Sequence, residues 1–139
     1  MSARSRGPFL FVFLLFVLVF PSSAQESLTD RIVLLEENLS RTTGEERFSL
    51  LRELAVLKEY AGDIEAAQTY YPQAAYALPD RTDRECLHAS GSLLLEMGAW
   101  DEASILGKAL LNSAAEPVQR ERAAVFLSRC ETLAGSVDA

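Results

Sequence analysis

Histidine occurs once in this chain, as His88, and cysteine twice, as Cys86 and Cys130. A general base or a metal ligand needs companions, and His88 has none close in sequence. The two cysteines lack the clustered spacing of a zinc site, which takes four ligands. No serine sits in a glycine elbow, and there is no glycine-rich phosphate loop. Acidic residues are abundant but scattered, with no pair set apart as acid and base. The chain is therefore expected to be no enzyme, with no catalytic residue, no cofactor and no metal. Strands are missing too, because no run alternates with period two for long enough. Cations are scarce: 13 Lys and Arg stand against 20 Asp and Glu, a net charge of −7. So acidic a surface argues against nucleic acid and against anionic lipid headgroups, and keeps the protein soluble.

Long apolar runs are confined to the N-terminus. Arg4 and Arg6 precede an unbroken run from Phe9 to Phe20, Pro21 breaks it, and Ser22, Ser23 and Ala24 follow. That three-part plan predicts a secretory signal peptide over residues 1–24, cut after Ala24. The run falls short of the ~20 residues that span a bilayer. The alternative is an uncleaved anchor through residues 9–20, and the membrane is expected to be touched only through this segment. No cysteine stands at the cut, which argues against a lipid anchor. An exported, periplasmic location follows. Removing Arg4 and Arg6 leaves 11 cations against 20 anions, a net charge of −9, and five of the seven Phe leave with the segment.

The remaining chain, 25–139, fits one small domain. Leu28, Ile32, Leu35 and Leu39 recur at helical steps. Gly44 breaks this helix, and Thr43 with the acids after it reads as a new N-cap. Phe48, Leu51, Leu54, Ala55 and Leu57 then mark a helix from Glu45 to Ala61. Gly62 and Asp63 end it and start the next, Ile64 to about Leu78. A fourth helix runs from Arg84 to Met97, capped by Asp80, Thr82 or Asp83, and a fifth from Trp100 to Leu111. The sixth starts at Pro117 and ends near Ala134. The linkers are short, which makes successive helices antiparallel neighbours.

The chain says nearly the same thing twice. Laid over "AGDIEAAQTYYPQAAYALPD", the stretch "MGAWDEASILGKALLNSAAEP" places Gly98 on Gly62, Trp100 on Ile64 and Ala103 on Ala67, a shift of 36 residues. A fixed period in this range marks stacked helical hairpins. Leu54, Ala55, Gly62, Ala67, Tyr71, Ala74 and Pro79 in one unit resemble the pattern of the tetratricopeptide repeat (TPR). Gly91, Leu94, Gly98, Trp100, Ala103, Leu110 and Pro117 resemble it in the next. The slightly long period is similar to bacterial envelope variants of the repeat, found in outer-membrane assembly and Tol-Pal-type systems. The resemblance implies an all-α fold, with antiparallel helical hairpins stacked as a short TPR-like solenoid of about six helices after the signal peptide. Its parts would be a half repeat 28–40, repeats 45–80 and 82–116, and a capping helix 117–134. Pro72 departs from the pattern and is expected to kink or restart its helix. Gly107 departs too, leaving a hole where a large side chain is usual. Two hairpins are fewer than such arrays usually need, so a longer stack with a partner or a second copy is plausible.

The resemblance also implies a concave groove lined by Arg52, Val56, Glu59 and Tyr60, then His88, Ser92, Leu95 and Glu96, then Arg122, Phe126 and Arg129. The arginines could clamp a carboxylate or an extended peptide. The reading is a non-catalytic protein–protein interaction adaptor or scaffold in the cell envelope, with a protein or peptide partner. The alternatives are a self-association module, forming a homo-oligomer through the ends of the stack, and a regulatory subunit of an envelope enzyme complex. In the repeat register Cys86 opens one helix and Cys130 lies about seven residues further along the equivalent helix. That offset is roughly 10 Å at 1.5 Å per residue, against the ~7 Å between Cα atoms that a disulfide tolerates. Two free thiols are expected, Cys86 partly exposed and Cys130 packed. His88 is expected at the surface or half-buried, and Tyr71 in the core.

Overall fold

The computed structural model describes residues 27–136, so the predicted signal peptide lies outside the described residues. Among those described there are six helices and no strand. They are α1 (27–39), α2 (Gly44–Tyr60), α3 (Ile64–Ala75), α4 (Arg84–Glu96), α5 (Trp100–Asn112) and α6 (Pro117–Gly135). None of them is long and apolar enough to cross a membrane.

Two turns set the chain path. At the end of α2, Gly62 takes φ +79° and donates to the Glu59 carbonyl, while Asp63 N–H reaches back to the Lys58 carbonyl. At the end of α4, Gly98 takes φ +75° and donates to Leu95, while Ala99 N–H reaches Leu94. Both turns have the hydrogen-bond pattern of a Schellman motif, in which a left-handed residue satisfies the last carbonyls of a helix. A side chain with a Cβ would be strained at either glycine. The next residue differs. Asp63 caps α3 by accepting a bond from Ala66 N–H at 3.2 Å. Ala99 begins α5 with no side-chain cap, although its φ −85° and ψ 63° nearly equal the −85° and 70° of Asp63.

The other helix ends are closed individually. Arg47 donates to the Leu39 carbonyl at the end of α1, at 2.8 Å. Asp83 caps α4, accepting from Cys86 N–H at 2.9 Å. Arg84 donates to the Leu110 carbonyl near the end of α5. Glu116 and Gln119 form a reciprocal capping box ahead of Pro117 in α6. Thr43 occupies the expected N-cap of α2, yet its side chain makes no capping bond. Pro72 neither breaks nor restarts α3, which stays one helix and ends at Ala75, short of the expected Leu78.

Each helix packs on its neighbours in sequence: α3 on α2, α4 on α3, α5 on α4 and α6 on α5. Small residues allow close approach, with Ala55, Ala67, Ala103 and Ala123 at zero exposure. The main core joins Phe48 and Leu51 of α2, Tyr71 of α3, Cys86 and Leu93 of α4, Leu110 of α5 and Ala123 of α6. Ile32 and Leu35 seat α1 on Leu54. Each fully buried leucine contributes ~1.5–3 kcal/mol through its removal from water. The ion pairs Arg31–Glu53 and Lys58–Glu36, between α1 and α2, and Arg81–Glu45, between the turn after α3 and α2, lie at the surface, where such pairs add ~0–1 kcal/mol each. Cys86 is buried at 2% exposure rather than near the surface, because the first turn of α4 faces inward against the main core. Cys130 belongs to a separate cluster with Leu95 and Ala103, and both thiols are free.

The unused cap at Ala99 gives a direct test of this geometry. Ala99→Asp should raise stability by about 1 kcal/mol in urea unfolding, since the backbone already matches that of Asp63. A loss of stability would mean that the turn is not in the conformation described.

Candidate peptide-binding groove

The helices α4 and α6 run alongside each other in the same direction. Glu85, near the start of α4, pairs with Arg122, near the start of α6, at 2.5 Å. Leu95, near the other end of α4, shares a cluster with Cys130 of α6. Between them lies an open groove of about 370 Å³. One wall carries Glu85, His88, Ala89 and Ser92, and the other Arg122, Val125, Phe126 and Arg129. Both walls use the same helical spacing, so each presents one continuous stripe.

Phe126 makes the floor. A Cβ on Gly91 would lie 2.5 Å from the tip of its ring, and one on Gly107 would lie 3.1 Å from its edge. Two glycines on two different helices thus leave the notch that the ring enters. The hole expected at Gly107 does not exist, because Phe126 and Leu127 of α6 fill it. The resemblance had put Phe126 on the groove surface, whereas it is half-buried and wedges α6 against α4 and α5.

His88 meets Phe126 edge to face, with ring centroids 6.0 Å apart and planes at 87°. It is buried, at 7% exposure, and not the surface or half-buried residue expected. The seating of Phe126 is the physical reason, since the wedge closes over that side of α4. Burial holds the imidazole below its ordinary pKa of 6.5, helped by Arg122 and Arg84 and opposed by Glu85. Arg122 in turn holds the Glu85 carboxyl below its ordinary range, mainly through their hydrogen bond. The Ser92 hydroxyl donates to the His88 carbonyl.

Five expected groove residues are therefore brought together: His88, Ser92, Arg122, Phe126 and Arg129. Glu85, Ala89 and Val125 join them, and the repeat of a seven-residue stripe at the same register on both helices could have identified them. Leu95 is not a groove residue, being 9% exposed and packed in the cluster with Ala103 and Cys130. Glu96 is the exposed last residue of α4. Arg52, Val56, Glu59 and Tyr60 form an exposed stripe on α2 and do not line this groove. Glu59 is engaged by the Tyr71 hydroxyl, which donates to it at 2.6 Å. Burial and that bond push the Tyr71 pKa well above the ordinary range.

The cysteines lie in packed interior. Burial, followed by a hydrogen bond with Asp83, pushes the Cys86 thiol up to about 12, and burial raises Cys130 as well. Among the described residues, no three His, Cys, Asp or Glu are grouped to hold a metal ion. No family model, curated protein or solved structure matches the chain.

Two outcomes follow from the wedge. Gly91→Ala should destabilise the protein by ~1–3 kcal/mol through overpacking against Phe126. Helix propensity alone would stabilise it by ~0.5–1 kcal/mol, so the sign measured in denaturant decides. The second outcome concerns pH. An unfolded chain takes up a proton at His88 near pH 6.5, and the folded chain resists it. That stability is complete above pH 6.5 and is lost as pH falls toward the depressed folded value. Glu85 acts lower, its contribution being present above its ordinary 4.5 and lost as pH falls through its own folded value. Unfolding free energy should thus decline from pH 7 to pH 5, and His88→Gln should flatten that slope. An equal slope in both proteins would place His88 in solvent.

Proposed function

We propose that this chain is a non-catalytic adaptor of the cell envelope, built as a short TPR-like stack of helical hairpins, which holds a protein partner in the α4–α6 groove. The observation that carries the reading is the groove itself, formed by two helices in parallel register with an aromatic floor. The paired glycine turns and the buried Ala67 and Ala103 support the repeat reading, since both units close in the same way. Export rests on the signal-like pattern of residues 1–24, which predicts the periplasm as the place of action. Repeat arrays present extended surfaces to their partners, and a groove of this kind suits that use.

A second reading, self-association, is favoured by the exposed aliphatic residues of the last helix. Val118 and Val125 are 73% and 67% exposed and lie seven residues apart on α6.

Site-specific photo-crosslinking in cells that make the protein separates these readings. A photo-reactive residue at Val125 reports on the groove, and one at Ile105, 68% exposed on α5, serves as an equally exposed control outside it. Adducts with a different protein from position 125 and not from 105 are the expected result. Adducts between two copies of the chain would favour self-association. Adducts equal at both positions would contradict the groove.

A further inference from the structure

We propose that Asn38 is the acceptor of an N-linked oligosaccharide, attached while the exported chain is still unfolded and carried afterwards at the end of α1. The proposal goes beyond the adaptor reading and rests only on its export part.

The first observation is in the sequence. Asn38, Leu39 and Ser40 form an Asn-x-Ser triplet with no proline in the middle, the pattern that oligosaccharide transferases accept. A carboxamide nitrogen is a poor nucleophile, and the hydroxyl two residues on holds the amide group in the transferase site. Transferases of the bacterial periplasm also require an acid two residues before the asparagine, and Glu36 stands there. The other asparagine of the chain, Asn112, is followed by Ser113 and Ala114, so it lacks the hydroxyl at the required place. Export through the predicted signal peptide would bring Asn38 to the compartment where such transferases work.

The second observation is the place of Asn38 in the fold. It lies in the last turn of α1, half-buried, and its carboxamide makes no hydrogen bond with the described residues. Substituting the nitrogen therefore breaks no contact of the side chain. The surroundings that a transferase must read are otherwise engaged. The Asn38 carbonyl accepts from Arg41 N–H at 2.9 Å, in the turn that closes α1. The Ser40 hydroxyl donates to the Glu37 carbonyl at 3.3 Å. Glu36 is held by Lys58 at 3.0 Å and by the Tyr70 hydroxyl at 3.2 Å. Attachment thus comes first and folding second.

The third observation is the surface beside it. Leu34, one helical turn before Asn38, is 49% exposed. A helical side chain lies over the turn N-terminal to its own Cα, so a saccharide on Asn38 would cover Leu34. No described helix precedes α1 to do so.

The step is a glycosyl transfer from a lipid-linked oligosaccharide pyrophosphate. Asn38 Nδ2 bonds to C1 of the first sugar, and the bond from C1 to the pyrophosphate oxygen breaks. The lipid pyrophosphate leaves with the electron pair, and one amide proton passes to a base of the transferase.

Trypsin should release residues 32–41 as one peptide, because Arg31 and Arg41 bound it and no cation lies between. The test is mass spectrometry of the full chain isolated from cells that make it. Peptide 32–41 should carry the added mass of one oligosaccharide, placed on Asn38 by fragmentation, while the peptide containing Asn112 should carry none. Asn38→Gln and Ser40→Ala should each abolish the added mass, and Ser40→Thr should keep it. A bare peptide 32–41 in chains that begin at Gln25 would overturn the inference and leave export standing. A bare peptide in chains that keep residues 1–24 would remove both. A glycan on Asn38 in chains that keep residues 1–24 would uphold the inference and select the anchored form of export. Added mass that survives in Asn38→Gln would place the modification elsewhere and overturn the inference.

Discussion

Phe126 can sit where it does only because Gly91 and Gly107 leave their faces of α4 and α5 empty. That single wedge fixes the last helix beside α4. It also closes the side of α4 that carries His88, and so buries a polar ring that the sequence alone would leave at the surface. The groove, its aromatic floor and the neutral imidazole all follow from one ring entering one notch. The cost is a helix interior made of glycine, which is unfavourable by ~0.5–1 kcal/mol at each position relative to alanine. The burial of a large aromatic side chain offsets it.

Electrostatics then divide the molecule. The chain is acidic, and part of that charge is tied into surface pairs such as Arg31–Glu53, which joins α1 to α2, and Arg81–Glu45, which joins the turn after α3 to α2. Arg81 also lies over the Phe48 ring, 5.9 Å from its centroid, and shields the beginning of α2. The Glu85–Arg122 pair has the same form one unit later, joining the start of α4 to the start of α6 as Glu45–Arg81 joins the start of α2 to the approach to α4. Beyond that pair, Arg129 lines the groove with no ion-pair partner among the described residues.

The helices and their turns were legible in the sequence because local chemistry determines them. Gly62 and Gly98 stand where only a left-handed turn closes the helix, Asp83 caps α4, and Pro117 opens α6. Ala67 and Ala103 were legible for the same reason, since a small residue repeated at a fixed interval marks a close approach. The groove was half legible. The resemblance to the repeat implied a face carrying His88, Ser92, Arg122, Phe126 and Arg129, but Leu95 turns into the core at the end of α4. The side chain that α6 inserts between α4 and α5 was not legible. Gly107 read as a defect within its own hairpin, because the side chain that fills it comes from the next helix. The burial of His88 and Cys86 was missed on the same account, each being covered by contacts distant in sequence.

The most direct test of this account is the distance between the two rings at the centre of the groove. In the full chain, a nuclear Overhauser spectrum should show cross-peaks between the ring protons of His88 and Phe126. The edge-to-face geometry should also displace the His88 ring shifts from those of an exposed histidine. Strong cross-peaks with displaced shifts are the predicted result. A His88 ring with the shifts of a solvated side chain and no contact to Phe126 would contradict the wedge, and with it the groove.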